Sequence, residues 1–396
     1  MPLASQVPAG AEAATQPNAV PRPRAALVLT GGGARAAYQV GVLKAVREIL
    51  GEPVANPFPI LCGTSAGAIN AAALAVFADD FSRAVGNLLD VWEHMRCALV
   101  YRTDFASIFG RGLRWLTALS GLGRNPVSLL DNSPLNDTLG KFLAFERIQQ
   151  NIDAGVLYAV SVTASGYTSG QSVSFFQAAQ GVEGWERQQR IGAAVPLKLE
   201  YLLASAALPF IFPAIKVHRE YFGDGSMRQI APVSPALHLG ADRVLVVGTG
   251  RQSADLARAR SSIYPSLAQV AGHALNSIFL DSLMVDIERL ERINRTLNAI
   301  PQDVVTQRKI ELRPVRVLFI SPSHPIERIA ARFVHDLPPM VRFVLRPVGA
   351  MNRAGSNLAS YLLFEETFCR ALIELGYQDA TARAAEVRAF FEGVDS

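Results

Sequence analysis

The sequence predicts an α/β protein in which a mostly parallel central sheet is flanked by helices. Two strand–turn–helix units follow one another near the start, and such units imply parallel strands with helices on the faces of the sheet. Half of the 396 residues are apolar and 18% are charged, which supplies a large buried core. This composition excludes a disordered chain, a collagen-like fibre and a coiled-coil rod. The length predicts one large domain or two ordinary ones.

The first strand–turn–helix unit follows a segment rich in Ala, Pro and Gln. Residues 1–24 have neither the basic start nor the apolar run of a signal peptide, so we interpret them as a flexible tail. The apolar run 25–30 predicts a strand, the glycines at 31–33 predict a turn, and the apolar spacing over 34–50 predicts a helix.

The second unit repeats this order at once. Residues 58–62 predict a strand, 63–67 a tight turn and 68–77 a helix. The stretch 60–78 is uncharged and long enough to cross a membrane, but it is polar at one end and alanine dominates the rest. We therefore predict a buried strand–turn–helix here rather than a transmembrane helix.

The remaining pattern predicts further strands and a helical end. Strands are predicted at 156–162, 173–176, 243–247 and 315–320, and helices at 197–207, 265–299, 354–376 and 381–391. The chain contains no internal repeat and no linker rich in Pro, Gly or Ser. We therefore predict a domain over 25–250 and a mainly helical C-terminal extension over 251–396 that packs on the same domain.

One insertion in that domain, residues 91–139, interleaves aromatic and basic side chains. They are Trp92, Tyr101, Phe105, Phe109, Trp115, Arg96, Arg102, Arg111, Arg114 and Arg124. Two hypotheses stay open. The segment is an ordinary helical cover for the sheet, or it is a lid with aromatics in the lipid headgroup zone and arginines on phosphates.

The second turn carries a candidate nucleophile. Its residues are Gly63, Thr64, Ser65, Ala66 and Gly67, which fit G-x-S-x-G between a predicted strand and a predicted helix. A nucleophilic serine needs a turn so tight that its backbone is strained, and flanking glycines let neighbouring chain pass close. The hydroxyl then projects above the sheet at a helix N-terminus, where the dipole favours developing negative charge.

The first turn is a candidate anion site. It consists of Gly31, Gly32, Gly33, Ala34 and Arg35. Such a turn at the start of a helix points successive N–H groups outward, where they bind an anion. A dinucleotide site needs G-x-G-x-x-G and a suitably placed acidic residue, and the match is weak. The serine turn just downstream favours an oxyanion hole, whose N–H groups stabilise a tetrahedral intermediate.

A serine nucleophile needs a base, and two kinds stay open. Asp224 lies between two glycines, which suits a carboxylate held close to another chain, although an Asp-Gly pair is usually a surface turn. His324 follows a predicted strand and would complete a Ser-Asp-His triad of α/β-hydrolase type. Only two predicted strands precede or enter the serine turn, fewer than that fold normally has, and this disfavours the triad.

Four blocks in order resemble the patatin-like phospholipases. They are Gly31–Arg35, Gly63–Gly67, Ala204–Pro213, and Asp224–Ser226 followed by Pro232. The resemblance covers about residues 25–250. It implies a three-layer sandwich of helices, sheet and helices.

The resemblance also implies roles for particular residues. Ser65 is the nucleophile and Asp224 the base of a Ser-Asp dyad with no catalytic histidine, and Gly225 and Ser226 complete the motif of the base. The backbone from Gly31 to Ala34 forms the oxyanion hole, and Arg35 occupies the basic position of that motif.

Two positions depart from the family pattern. Ala36 replaces a glycine at the start of a helix, where we expect no positive φ and little loss. Ser226 replaces alanine or glycine, and a hydrogen bond from it would lower the pKa of Asp224 and weaken the base.

The implied activity is that of a serine acyl hydrolase that cleaves ester bonds of phospholipids or lysophospholipids through an acyl-serine. The alternatives are an acyltransferase that uses the same acyl-serine and a non-catalytic lipid-binding regulatory module. A carboxylate with the ordinary pKa of about 3.9 is a weak base at neutral pH. The scheme therefore depends on positioning and on the oxyanion hole.

Composition sets the remaining expectations. Three scattered cysteines predict no disulfide framework or zinc ribbon, and no motif predicts a metal or a cofactor. The net charge of +4 favours an anionic surface such as phospholipid but is too small for nucleic acid. We expect a cytoplasmic protein that makes at most transient peripheral contact with membranes; the oligomeric state stays open.

Overall fold

A mixed sheet forms the centre of the protein. The computed structural model describes residues 24–105, 107, 110, 128–250, 264–308, 312–352 and 355–392. The strands are β1 (Ala25–Leu29), β2 (Ile60–Thr64), β3 (Ala159–Gly166), β4 (Ser172–Ala178), β5 (Trp185–Arg187), β6 (Arg190–Ala194), β7 (Ile215–Val217), β8 (Glu220–Asp224), β9 (Arg243–Val247) and β10 (Arg316–Ile320).

The first two strands of the chain, β1 and β2, lie in the interior of the sheet. The order is β10-β9-β1-β2-β3-β4-β6-β5, and β8 pairs with both β3 and β7. The five strands from β10 to β3 run parallel, whereas β4 and β8 are antiparallel to β3. β1, β2 and β3 are buried along their whole length, as parallel strands covered on both faces must be.

Helices cover the sheet. They are α1 (Ala37–Ile49), α2 (Ala66–Val76), α3 (Phe81–Glu93), α4 (Cys97–Val100), α5 (Ser133–Phe142), α6 (Glu146–Asp153), α7 (Leu199–Ser205), α8 (Ser234–His238), α9 (Leu267–Asn276), α10 (Ser282–Asn298), α11 (Gln302–Gln307), α12 (Ile326–Phe333), α13 (Pro339–Leu345), α14 (Ser356–Leu362), α15 (Glu366–Ala382) and α16 (Ala384–Glu392). A short 3₁₀ helix, Gly33–Ala36, precedes α1, and a π-helical turn, Ser277–Asp281, joins α9 to α10. The predicted α/β architecture with a helical C-terminal region is confirmed.

Two predicted helices differ from the structure. The helix predicted over 265–299 is interrupted by the π-helical turn. The prediction missed this interruption because the apolar spacing of the segment contains no local signal for a wider turn. The helix predicted over 354–376 is two helices, α14 and α15, separated by the non-helical residues 363–365. The short strands β5 to β8 were not predicted, because each contains a charged residue and none has three large apolar residues in a row.

The described residues of the insertion at 91–139 include the end of α3, the helix α4 and most of α5, as well as non-helical residues. Trp92 and Tyr101 are buried, so the hypothesis that they lie in a lipid headgroup zone is wrong. The Trp92 indole N–H donates to Asn70 (2.9 Å) and the Tyr101 hydroxyl donates to the carbonyl oxygen of Leu362 (2.8 Å). Phe105 is exposed. Phe109, Trp115, Arg111, Arg114 and Arg124 lie outside the described residues.

The C-terminal residues complete the sheet as well as covering it. β10 joins the parallel strands beside β9, in register from Arg316 with Arg243 to Ile320 with Val247. α15 packs along α1, which follows the first glycine turn. The helices after residue 264 therefore approach the same end of the sheet as the two candidate turns.

Candidate active site

Ser65 occupies the turn between β2 and α2. Its φ of 55° and ψ of −129° are rare for any residue other than glycine, which confirms the predicted strained turn. Gly67 allows this turn because a Cβ there would collide with the carbonyl oxygen of Leu29. Ser65 therefore stands at the N-terminus of α2, only 5% exposed.

A second serine holds the turn in place. The Ser65 N–H donates to the hydroxyl oxygen of Ser205 (2.8 Å), and the Ser205 hydroxyl donates to the carbonyl oxygen of Thr163 on β3 (2.6 Å). The sequence analysis assigned no role to Ser205. The sequence contained one indication of such a role: Ser205 is a polar residue within the apolar run of α7, and a buried hydroxyl there needs a hydrogen-bond partner.

Sheet pairing brings Asp224 beside Ser65. Thr64 is in register with Thr163 of β3, and the next residue of β3, Ala164, is in register with Asp224 at the end of β8. The Asp224 N–H donates to the carbonyl oxygen of Ala207 (2.9 Å). One strand therefore aligns the serine turn with the carboxyl group.

The Asp224 carboxyl is fully buried. Its Oδ1 accepts the N–H of Ser226 (3.0 Å), whereas its Oδ2 has no hydrogen bond of regular geometry. Burial raises the pKa of Asp224 to about 6, against the hydrogen-bonding influence of Ser65 and Ser226, which lowers it. Ser226 acts in the predicted direction. Desolvation is the larger effect, so the net pKa of Asp224 lies above the ordinary aspartate value.

The glycine turn presents unpaired backbone donors. Within the part of the chain that the structure describes, the N–H groups of Gly31 to Ala34 have no hydrogen-bond acceptor. Gly33 has φ of 55°, and a Cβ there would collide with the carbonyl oxygen of Tyr361. Ala36 has φ of −66°, so the expected absence of a positive φ at this departure is confirmed.

Arg35 does not belong to this set of donors. Its N–H donates to the carbonyl oxygen of Gly32 (3.1 Å), so the inclusion of Arg35 in the oxyanion hole is wrong. Its buried guanidinium instead donates to Ser360 (2.8 Å) and Asn276 (3.1 Å) and lies 4.0 Å from the ring centroid of Tyr361. Arg35 thus ties the glycine turn to the C-terminal helices.

The six histidines lie elsewhere. His324, the alternative base, is exposed on the surface, where its Nδ1 meets the hydroxyl of Ser323 (2.8 Å). His238 stacks on Trp185. Among the residues that line the cavity around Ser65, none is a histidine.

Ser65 opens into an apolar cavity, the first cavity. One face of α2 forms its floor, and helices of the insertion and of the C-terminal region form its walls. The lining residues include Ile69, Asn70, Ala73, Leu88, Trp92, Leu135, Leu139, Phe279, Tyr361 and Phe364. Both ends of the Asn70 amide are occupied, by Gln39 (3.0 Å) and Trp92, so the cavity presents hardly any free polar group.

Phe279 closes this cavity near the glycine turn. It lies on the π-helical turn, is buried, and stacks on Tyr361 with ring centroids 5.2 Å apart. A Cβ on Gly31 would lie 2.5 Å from the Phe279 ring. The sequence analysis missed Phe279, since an apolar residue in a helical pattern predicts only core packing.

The described residues lack two kinds of feature. They contain no helix long and apolar enough to cross a membrane. They also contain no group of three or more His, Cys, Asp or Glu side chains placed to hold a metal ion.

The fold and the site define a class: an α/β protein with a serine on a strained strand–helix turn beside a glycine-rich loop. Within this class, the sequence model of the family described as Patatin-like phospholipase matches residues 27–237. The match covers more than half of the chain, and the protein belongs to the patatin-like phospholipase family.

Two relatives have names that describe an activity. A cGAMP-activated phospholipase of Pseudomonas aeruginosa (strain BWHPSA011 / Pa011) is 29% identical over 219 residues, which are 54% of this chain and 55% of that protein. A cUMP-AMP-activated phospholipase of Escherichia coli is 48% identical over 50 residues, 13% of this chain and 16% of that protein. The match thus spans about half of the first relative and less of the second.

A solved structure is also similar. VipD from Legionella pneumophila aligns with a TM-score of 0.35 and 13% identity, over 92% of this chain and 67% of its own.

Proposed function

We propose that this protein is a serine acyl hydrolase that cleaves ester bonds of phospholipids or lysophospholipids through acyl-Ser65, with Asp224 as the base. The observation that carries the proposal is the buried Asp224 carboxyl beside a strained Ser65 at the mouth of an apolar cavity. Membership of the patatin-like phospholipase family supports the same reaction.

The first step is the transfer of the Ser65 proton to Asp224 as the serine oxygen attacks the ester carbonyl. A pKa of about 6 leaves the carboxyl mostly ionised at neutral pH, and it makes the carboxylate a stronger base than an exposed aspartate. The free Oδ2 is the atom available to accept the proton.

The negative charge of the tetrahedral intermediate needs donors that are already in place. The unpaired N–H groups of Gly31 to Ala34 are suited to this task. The N–H of Ser65 is not, because it is engaged by Ser205. The oxyanion therefore points toward the glycine turn.

Deacylation repeats the same chemistry. The alcohol leaves with the proton held by Asp224, and a water then gives a proton to the carboxylate and attacks the acyl carbon. As the acid leaves, Asp224 returns that proton to the Ser65 oxygen, which restores the free serine and the carboxylate. The fatty acyl chain occupies the first cavity during this time, because its apolar lining favours a chain over water.

We also propose that the enzyme is regulated. Ser65 and Asp224 are buried, and Phe279 covers the glycine turn, so substrate entry requires a movement of the C-terminal residues. The relatives are named for activation by cyclic nucleotides. Cyclic dinucleotides such as cGAMP and cUMP-AMP are therefore the first activators to test.

The test is hydrolysis of p-nitrophenyl esters and phospholipids, with and without cGAMP or cUMP-AMP. We expect Ser65→Ala and Asp224→Asn to lose at least about 1,000-fold in kcat/KM, since each removes a reacting group. His324→Ala is the control and should retain wild-type activity. A fluorophosphonate probe that fails to label Ser65 in folded protein, whatever activator is present, would support the non-catalytic alternative.

A further inference from the structure

A second apolar cavity adjoins the first. Ser65 lines the first cavity and Asp224 lines the second, whereas Leu208 lines both. Ala271 and Ala274 of α9 and Val344 of α13 form part of its walls. The two cavities therefore adjoin at Leu208, and each is lined by one member of the proposed catalytic pair.

The chemistry of the second cavity restricts its occupant. Among its lining residues, Asp224 is the single polar one. A polar ligand such as a nucleotide would lose its hydrogen bonds to water there and regain none, which is costly. A hydrocarbon chain loses nothing and gains the burial of its surface.

The mouth of the second cavity carries exposed apolar side chains. Phe210 is 78% exposed and Leu267 is 72% exposed, and Met227 beside them is also exposed. All three line the cavity. Phe210 has φ of 65°, a strained conformation for an aromatic residue that points its ring outward at this edge. An apolar rim around an apolar cavity suits a lipid better than water.

We propose that the second cavity receives the second acyl chain of a diacyl phospholipid whose other chain fills the first cavity. This inference rests on the proposed function. The two chains of such a lipid leave adjacent carbons of one glycerol, and two cavities that share the wall at Leu208 match that divergence. A lysophospholipid would leave the second cavity empty, so the structure assigns this protein a preference for diacyl over lysophospholipids.

The experiment measures binding apart from catalysis. The Ser65→Ala protein, in the full chain, is titrated with two ether lipids that cannot be hydrolysed, a dioctyl phosphocholine and a monooctyl phosphocholine, each kept below its micelle concentration. Each titration is made with and without cGAMP or cUMP-AMP, and affinities are compared under the condition in which lipid binds. We expect the dialkyl lipid to bind at least tenfold more tightly. Equal affinity for the two lipids would overturn the proposal.

A filled cavity should remove this difference. Ala271→Phe, added to Ser65→Ala, places a ring in the second cavity and should bring the two affinities within about twofold. His273→Phe adds the same ring on an exposed position of the same helix and should keep the tenfold difference. If Ala271→Phe fails to fold by circular dichroism, Ala274→Val makes a smaller change in the same wall.

The matched change in the first cavity is Ala73→Leu, which narrows that cavity. We expect it to reduce the affinity for both lipids by the same factor. A dialkyl preference that survives Ala271→Phe or Ala274→Val in folded protein would mean that the chain binds elsewhere. If the dialkyl preference is found but the Ser65 enzyme cleaves no ester under any condition, the proposed function fails and the second lipid site stands.

Discussion

The two parts of the described chain, residues 24–250 and 264–392, contribute different things to the site. Every group proposed to react comes from the first part: Ser65, Asp224 and the N–H groups that begin at Gly31. The second part contributes no reacting group but covers them, through Phe279, Tyr361 and Phe364 in one cavity and through α9 and α13 in the other.

This difference has a physical basis. Reacting atoms need exact placement, which short turns clamped by a buried sheet provide. A lipid chain needs only an apolar space of the right shape, and packed helices provide that without any special residue. We infer that the first part sets the reaction, whereas the second sets the choice of substrate and access to the site.

The largest expected effect follows from placing a methyl group where the two parts meet. In Gly31→Ala the new Cβ would lie 2.5 Å from the Phe279 ring and 2.6 Å from the Ser226 hydroxyl oxygen, so the glycine turn or these two side chains beside it must shift. Loss of an oxyanion donor typically costs about 100- to 1,000-fold in kcat, and we expect a loss of that size in ester hydrolysis.

The control for this change is Gly86→Ala on α3. A Cβ there meets no atom within 4 Å, and alanine favours a helix over glycine. We expect full activity and a slightly higher melting temperature. Wild-type turnover by Gly31→Ala would show that the C-terminal cover does not constrain the glycine turn.

The second effect is the pH dependence of the reaction. The base must be ionised, and burial raises the pKa of Asp224 to about 6. We expect kcat/KM to be level above pH 7 and to fall about tenfold per pH unit below 6. Initial rates on a soluble ester between pH 4.5 and 8.5 provide the measurement, and a profile that stays level down to pH 4.5 would contradict this assignment of the base.

The same burial predicts an effect on stability. Because the pKa is raised on folding, the native protein binds more protons than the unfolded chain between about pH 4 and 6, and stability falls as the pH rises through this window. Asp224→Asn carries no charge, so it should be more stable than wild type by up to about 3 kcal/mol at pH 7.5. Denaturant unfolding should show the difference shrinking toward pH 4.

The smallest effect concerns the link between the two parts. Lysine cannot reproduce the fork by which Arg35 binds Ser360 and Asn276 while stacking on Tyr361. We expect Arg35→Lys to lose about 2 kcal/mol of unfolding free energy and only a few-fold in activity. Arg346→Lys, at an exposed position, is the matched control. An equal loss of stability in both variants would deny Arg35 a linking role.

Some of the site could be predicted because it depends on residues that are neighbours in sequence. The flanking glycines predicted the strained turn at Ser65, and three successive glycines predicted the loop of free N–H groups. The insertion shows the limit of such evidence. Trp92 and Tyr101 had the composition of an interfacial segment, yet both are buried, because packing against distant residues decides burial.

The two turns, the strands that end in them and the candidate reacting groups can be recognised in the amino-acid sequence alone. Three features depend on the folded chain instead: Arg35 binds helices more than 240 residues away, the Asp224 carboxyl is desolvated, and two apolar cavities adjoin at Leu208. The reason is that a backbone conformation is a local property of a few bonded residues. A pKa and a cavity depend on which distant atoms exclude water, and no short stretch of sequence contains that information.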